Sequence, residues 1–510
     1  MSRQRISRRS FLGGSVGLSL SALYLQENAF SQTKPPTPTP GLHSSYERGL
    51  WLAGDPHVHT YYSKNGQYSV AQQAEQAFKN GLQWIVVADH GSMTHSRTAG
   101  KEMLAEVQAA RKQFPKLTIF MGVTWNMPTG EQTTVIMPPT QNEGKHLSEF
   151  QLLHDSVCRA VVDKENNEQA VVEAMQYLLN LNPLPLVFVS QPARRGLVSP
   201  AKMRTLISSA PDVMRGFEGS PGHQAASLNG KPRGGYAGTK RNGSWEQYPE
   251  DAYRTYGGFD WMTARVGGMW DALLAQNLPV FVTATANCHR HWQDMSQLDD
   301  ADFESSGRTK LGSRRVEKGE NEDFFPGEYS RTAVFVPQND PLAIMQGMRS
   351  GNMFASLGNI VERCELLAIS GGQMIPMGGT LTLNSPNDPV TISIRIKLPR
   401  KKNLNGELPK LDHIDIIAGN IEPGAYQPTS FLNPSTSVVA TVSPAQAVRK
   451  GDFLDYGFKI DKVQGDFYLR LRGTNLANVK DPVADSTNTK PWEDLWFYSN
   501  PLFIRLPRRS

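Results

Sequence analysis

Two histidines separated by one residue, His57 and His59, lie in GDPHVHT directly after the apolar tripeptide Leu50-Trp51-Leu52. On an extended chain, side chains at i and i+2 project to the same face, so both imidazoles can reach one ion. Other chemistry-bearing residues close later apolar runs. Asp89 and His90 end WIVVADH, and His289 and His291 follow PVFVT in TANCHRHW. A lone histidine is more often a packed or surface residue. Several at the ends of successive parallel strands converge, because active sites of α/β barrels occupy the C-terminal edge of the strands. Imidazole clusters suit zinc, manganese or iron. GFEGSPGHQ adds Glu218 and His223 as further candidates. Arg194 and Arg195 follow another apolar run in VFVSQPARRG. Guanidinium groups grip phosphate oxygens bidentately, so either arginine could orient a phosphoester.

The elements that must position these residues repeat. VAQQAEQAFKNG has apolar residues at helical spacing and a glycine stop, and it precedes the buried-strand pattern WIVVADH. EMLAEVQAARKQF precedes LTIFMGV, EQAVVEAMQYLLNL precedes LPLVFVSQ, and VGGMWDALLAQNL precedes PVFVTATAN. Repeated helix-then-strand units predict a parallel α/β architecture. Two polar, glycine-rich stretches, KPRGGYAGTKRNGSW (231–245) and DDADFESSGRTKLGSRRVEKGENED (299–323), are expected to be surface loops or insertions. After about residue 361, VTISIRIKL, HIDIIAG, FLDYGFKI, DFYLRLRG and PLFIRL alternate apolar and polar residues, which predicts half-buried antiparallel strands and a C-terminal β-sandwich.

Composition narrows the classes. The chain has 510 residues, 39% hydrophobic and 20% charged, as expected of packed domains rather than a disordered chain. The net charge is +5, of which Arg3, Arg5, Arg8 and Arg9 against Glu27 supply +3 within the first 31 residues. The remainder is close to neutral, so no nucleic-acid partner is expected. Three scattered cysteines, Cys158, Cys288 and Cys364, form neither a disulfide framework nor a CxxC zinc site. The N-terminus places SRRSFL directly before a short apolar stretch, a secretory layout with a twin-arginine motif. This predicts a signal at 1–31, use of the twin-arginine export machinery and a periplasmic or extracellular destination. A proline-rich tether is expected at 32–48, and no later apolar run is long enough to span a bilayer.

GDPHVHT, GLQWIVVADHG, GFEGSPGHQ, VGGMWDALL and RSGNMFASLGNIV, in this order, resemble the motifs of the PHP (polymerase and histidinol phosphatase-like) domain family. The resemblance implies a distorted seven-stranded β/α barrel over 49–360, followed by the β-rich domain at 361–510. It also implies a cluster of divalent metals and phosphoesterase activity. Carried over position by position, it matches at His57, His59, His90 and His289. It departs at Thr124, where the family has a bridging glutamate, at Gln132 and Gln191, where it has histidines, and at Asn287, where it has an aspartate. A carboxylate bridge allows two metals to sit about 3.5–4 Å apart, and neutral Thr and Gln oxygens replace it poorly. The expectation is therefore a depleted, mononuclear site for Mn, Zn or Fe, with fewer ions than the family norm. Asp55, Asp89, Glu131, Glu218, His223 and His291 are the neighbouring residues able to compensate. The expected function is an exported metal-dependent phosphoesterase acting on a small phosphorylated substrate. The alternative is a catalytically inactive protein of this fold that binds a ligand or surface.

Overall fold

The computed structural model describes residue 46 and residues 48–159, 164–234, 243–315, 322–424 and 427–507. The expected signal at 1–31 and all but two residues of the expected tether lie outside the described residues. Among the described residues, no helix is long and apolar enough to cross a membrane.

The first helix shows how local chemistry sets the elements. Ser69 caps Val70–Lys79 in a capping box with Gln72, and Val70, Gln73, Ala74 and Ala77 form its buried face. That i, i+3, i+4, i+7 spacing is one stripe of a helix. The following strand, Trp84–His90, is buried at every position except His90.

Seven strands form the barrel. They are β1 (Leu50–Val58), β2 (Trp84–His90), β3 (Thr118–Asn126), β4 (Gln132–Ile136), β5 (Leu186–Ser190), β6 (Met214–Pro221) and β7 (Phe281–Thr285). β1, β2 and β3 run parallel, as do β5, β6 and β7. β4 is antiparallel to both β3 and β5. The α/β barrel that the helix–strand repeats predict is thus present, with one reversed strand. The reversal puts Gln132, the first residue of β4, at the same rim as the last residues of the parallel strands.

Closure between β7 and β1 lacks a regular ladder. At the rim, the His59 N–H donates to the Cys288 carbonyl and the Asn287 N–H to the His57 carbonyl, both at 3.1 Å. Farther down, the Thr332 hydroxyl of β8 (Ser330–Val336) donates to the Ala284 carbonyl and accepts from the Ala284 N–H, each at 2.8 Å. β8 is antiparallel to β1 and to β9 (Met353–Leu357).

The C-terminal strands form two sheets, but one of these is continuous with the barrel. β9 pairs with Trp496–Ser499, Phe354 opposite Ser499, and the ladder runs on into Phe467–Thr474. The other sheet is antiparallel, with Arg363–Ser370, Val390–Lys397 and Phe453–Ile460 at its centre. The expected C-terminal strand-rich region is thus present, and one of its sheets extends the free edge of β9.

The two polar stretches, expected as surface loops or insertions, each bury a charged residue. Arg233, in the first, is fully buried and bonds Asp485 at 2.9 Å and Asp494 at 2.5 Å. Asp323, at the end of the second, is buried at the barrel rim. Buried charge recurs where the barrel meets the C-terminal strands. Arg470 pairs with Asp271 at 2.7 Å and lies over the Trp270 ring, and within the C-terminal strands themselves Arg472 pairs with Asp415 at 2.9 Å. Cys158, Cys288 and Cys364 are all free thiols.

Candidate metal centre

The barrel rim encloses a cleft of about 250 Å³, lined on its floor by His57, His59, His90, His223 and His289. Among the described residues, two groups could hold an ion: His59, His90 and His289, and His223, His289 and Asp323. Within each group, one ligand atom per residue lies within 4.8 Å of the others. The Nε2 atoms meet in pairs. His57 Nε2 is 2.9 Å from His59 Nε2, and His90 Nε2 is 3.2 Å from His289 Nε2. Nitrogens on a tetrahedral zinc, with Zn–N near 2.0–2.1 Å, are separated by about 3.3 Å.

Partners at the other ring nitrogens assign the tautomers. His57 Nδ1 donates to Glu218 Oε1 at 2.5 Å. Ser63 Oγ donates to Asp89 Oδ1 at 2.6 Å, so at 2.8 Å it accepts from His59 Nδ1. His289 Nδ1 donates to the Asn287 carbonyl at 2.9 Å. His59 and His289 therefore aim an Nε2 lone pair into the cleft, whereas His57 Nε2 faces Thr124 Oγ1, whose own hydrogen goes to the Ala88 carbonyl. Metal-binding histidines characteristically donate their remote N–H to a carboxylate or carbonyl in this way. At 2.9 Å, His57 Nε2 and His59 Nε2 cannot both present lone pairs without a proton or a cation between them.

Burial strengthens the same bias. It pulls the His59 and His289 imidazoles well below their ordinary pKa and His90 down to about 3, with neighbouring histidines adding to the effect. Uncharged rings keep their lone pairs at neutral pH. His223 behaves differently. Burial lowers its pKa, but the Asp323 carboxylate outweighs burial and leaves it raised. Burial raises Asp323, and His223 and His289 more than offset this, leaving it lowered. Burial pushes Asp55 up to about 6 despite hydrogen bonds from Thr285, Ala286 and His57.

The donor set suits a borderline divalent ion such as zinc. It is rich in neutral imidazole, and its carboxylates stand mostly behind the rings rather than in the cleft. His90 Nδ1 and Asn287 Oδ1 are buried with no hydrogen-bond partner among the described residues.

The other candidate residues fall into distinct places. Asp89 accepts from the Thr60 N–H and hydroxyl and from Ser63, so it braces the ring of His59. Glu218 braces His57 and also accepts the Gln191 N–H at 3.2 Å. Asp55 ties β1 to β7 through Thr285 and Ala286 and does not face the cleft. Glu131 is taken up by Lys202 at 2.8 Å. His291 stacks on Phe325 and meets Glu328 at 3.1 Å, outside the cleft. Arg194 lines the cleft and donates to Gln191 Oε1 at 2.6 Å, whereas Arg195 lines a smaller neighbouring hollow.

The four substituted positions all line the cleft. Thr124 Oγ1 is 2.7 Å from His57 Nε2 and 2.8 Å from the Ala88 carbonyl. Gln132 donates to Asn126 at 3.1 Å, and Asn287 Nδ2 is 3.1 Å from His223 Nε2. Gln191 (φ 48°), His223 (φ 55°) and Asn287 (φ 48°) all sit in the left-handed region. Such backbone costs about 1–3 kcal/mol per residue and persists where the surroundings enforce it, typically at functional sites. Gly222 (φ 83°) makes the preceding step possible, since a Cβ there would lie 2.4 Å from Asn287 Cβ.

Asp323 is the main residue that sequence reasoning missed. Its Oδ1 accepts from His223 Nδ1 at 2.5 Å, and its Oδ2 accepts the N–H groups of His289 at 2.5 Å and Arg290 at 3.0 Å. The one local signal is the pair Phe324-Phe325 directly after it, of which Phe324 is buried.

Residues 55–196 match the family model of the PHP domain, and no curated protein matches the chain. Similar solved structures include a two-domain protein containing a predicted PHP-like metal-dependent phosphoesterase from Bacteroides vulgatus. It is 14% identical, with a TM-score of 0.34, over 89% of this chain and 97% of that one. A proposed metal-dependent phosphoesterase from Bifidobacterium adolescentis is 14% identical, with a TM-score of 0.24, over 52% of this chain and 92% of its own. A lesion-specific endonuclease from Pyrococcus furiosus is 12% identical, with a TM-score of 0.28, over 59% and 56%. The segment 55–196, which carries His57, His59 and His90, is a PHP domain.

Proposed function

We propose that the chain is a metal-dependent phosphoric ester hydrolase whose centre is built on imidazoles and holds fewer ions than the family norm. The observation that carries this reading is the convergence of Nε2 lone pairs from His59 and His289, fixed from behind by Ser63 and the Asn287 carbonyl, with the Glu218-braced His57 ring 2.9 Å from His59. His59, His90 and His289 would hold the ion, with His57 beside them. A divalent ion there would supply Lewis acidity to a phosphoryl group.

The chain's own residues do the rest. Asp323 fixes both His223 and the backbone of His289. Arg194, braced on Gln191, presents a cation at the cleft wall. The strained backbone at Gln191 and His223 favours a maintained site over a drifting one. We further propose export through the twin-arginine route to the periplasm or cell exterior, on the strength of SRRSFL before the apolar stretch.

The test is metal analysis of the purified protein, with turnover of p-nitrophenyl phosphate, bis(p-nitrophenyl) phosphate and an abasic DNA duplex. The expected result is retained zinc, iron or manganese and hydrolysis of a small ester. Absence of both after reconstitution with each metal would sink the reading and leave a binding module. Replacing Arg8 and Arg9 by lysine should abolish export of the folded protein, and undiminished export would refute the address.

A further inference from the structure

We infer that Arg290 is a substrate-binding residue that grips the phosphoryl group of a small phosphomonoester in the cleft that Arg194 also lines. The inference rests on the phosphoesterase reading above.

Arg290 lines the cleft and is only half-exposed. Among the described residues, its guanidinium has no hydrogen bond or ion pair, and its backbone N–H to Asp323 is its one polar tie. A cation partly removed from water without a counter-charge is unfavourable, so the position attracts an anion. The acidic groups facing the cleft do not supply one. Asp323 is engaged by His223 and two backbone N–H groups, and Glu322 pairs with Lys231.

Position adds to charge. The same Asp323 Oδ2 that holds the N–H of Arg290 holds the N–H of His289, whose Nε2 faces His90. One carboxylate thus anchors the backbone of both His289 and Arg290 at the cleft. A planar guanidinium matches two phosphate oxygens at once. The cleft of about 250 Å³ is small, and its rim residues Asn65, Gln132 and Gln191 are amides. A doubly charged monoester of a small polar alcohol fits this wall better than a singly charged diester.

The experiment uses the zinc-loaded mature chain with inorganic phosphate as the probe, measured by titration calorimetry. Arg290→Ala should weaken phosphate binding by roughly 10- to 100-fold, the range of a hydrogen bond to a charged group, with zinc per chain unchanged. The KM for p-nitrophenyl phosphate should rise by a similar factor with kcat little altered, and the loss should be smaller for bis(p-nitrophenyl) phosphate. Arg290→Lys should recover only part of the binding. If Arg290→Ala sheds zinc, Arg290→Lys with zinc retained carries the test, and parent-like phosphate affinity in it overturns the proposal.

Unchanged affinity in Arg290→Ala, or acetate competing as well as phosphate, would also overturn it. A parent that holds zinc but binds no phosphate refutes this inference while leaving the metal centre standing. A parent that binds phosphate through Arg290 yet hydrolyses nothing refutes the enzyme reading and leaves this inference intact.

Discussion

The barrel rim and the junction with the C-terminal strands both bury polar side chains, and they do so in opposite ways. At the junction, Arg470 meets Asp271, and Arg233 meets Asp485 and Asp494, cation against carboxylate. At the rim, imidazoles meet imidazoles, His57 against His59 and His90 against His289. The carboxylates there stand behind the rings. The junction is complementary to itself, so it serves the fold. The rim is complementary to something absent from the chain, namely a cation.

This contrast can be broken by substitution. The largest effect is expected for His289→Ala, because His289 belongs to both candidate metal groups. Metal content after dialysis should fall to near zero. In chelator, the urea midpoint of this variant should equal or exceed that of the parent, since a crowded lone pair has been removed. At the junction the opposite is expected. Asp271→Ala should cost about 3–5 kcal/mol by urea unfolding, because it strands the buried Arg470 charge. The double change Arg470→Met with Asp271→Leu should recover most of that loss. If the site variant proves the more destabilising in chelator, the contrast is wrong.

Asp323→Asn tests the braces behind the rings. Zinc affinity should drop about 10- to 100-fold, as for other residues that orient metal-binding histidines, and competition with a chromogenic chelator would measure it. The smallest effect concerns Glu365 in the C-terminal sheet. Burial pushes its carboxyl from 4.5 up to about 7, against the pull of Arg395 and Arg363. A raised carboxyl contributes stability below pH 4.5 that is lost as the pH rises through about 7. Glu365→Gln should therefore flatten the fall in unfolding free energy across that window, which urea titrations at successive pH values would detect.

Much of the barrel was legible because its strands are continuous apolar runs. WIVVADH marks β2 residue for residue, and the helix before it carries its own cap and stop. His57, His59, His90 and His289 could be singled out because each lies at or just beyond the end of such a run. Asp323 could not be found this way. It sits in a polar stretch without periodicity and reaches the site through pairing of its backbone with the segment at His291 and Trp292. Arg233 was hidden for the same reason, since its partners Asp485 and Asp494 lie some 250 residues away. The continuity of the two sheets was equally out of reach, because alternating strands state which face is buried but not which edge they join.

The ladder between β9 and Trp496–Ser499 also bears on how the molecule comes apart. Hydrogen bonds in a shared sheet transmit load directly, so the barrel and the last strands are not two bodies on a hinge. A chain cut near residue 361 would leave Met353–Leu357 as an uncovered edge, a template for pairing with other chains. The barrel and the β-rich strands are therefore expected to melt together, because the strands at Trp496–Ser499 extend the sheet that leaves the barrel through Met353–Leu357.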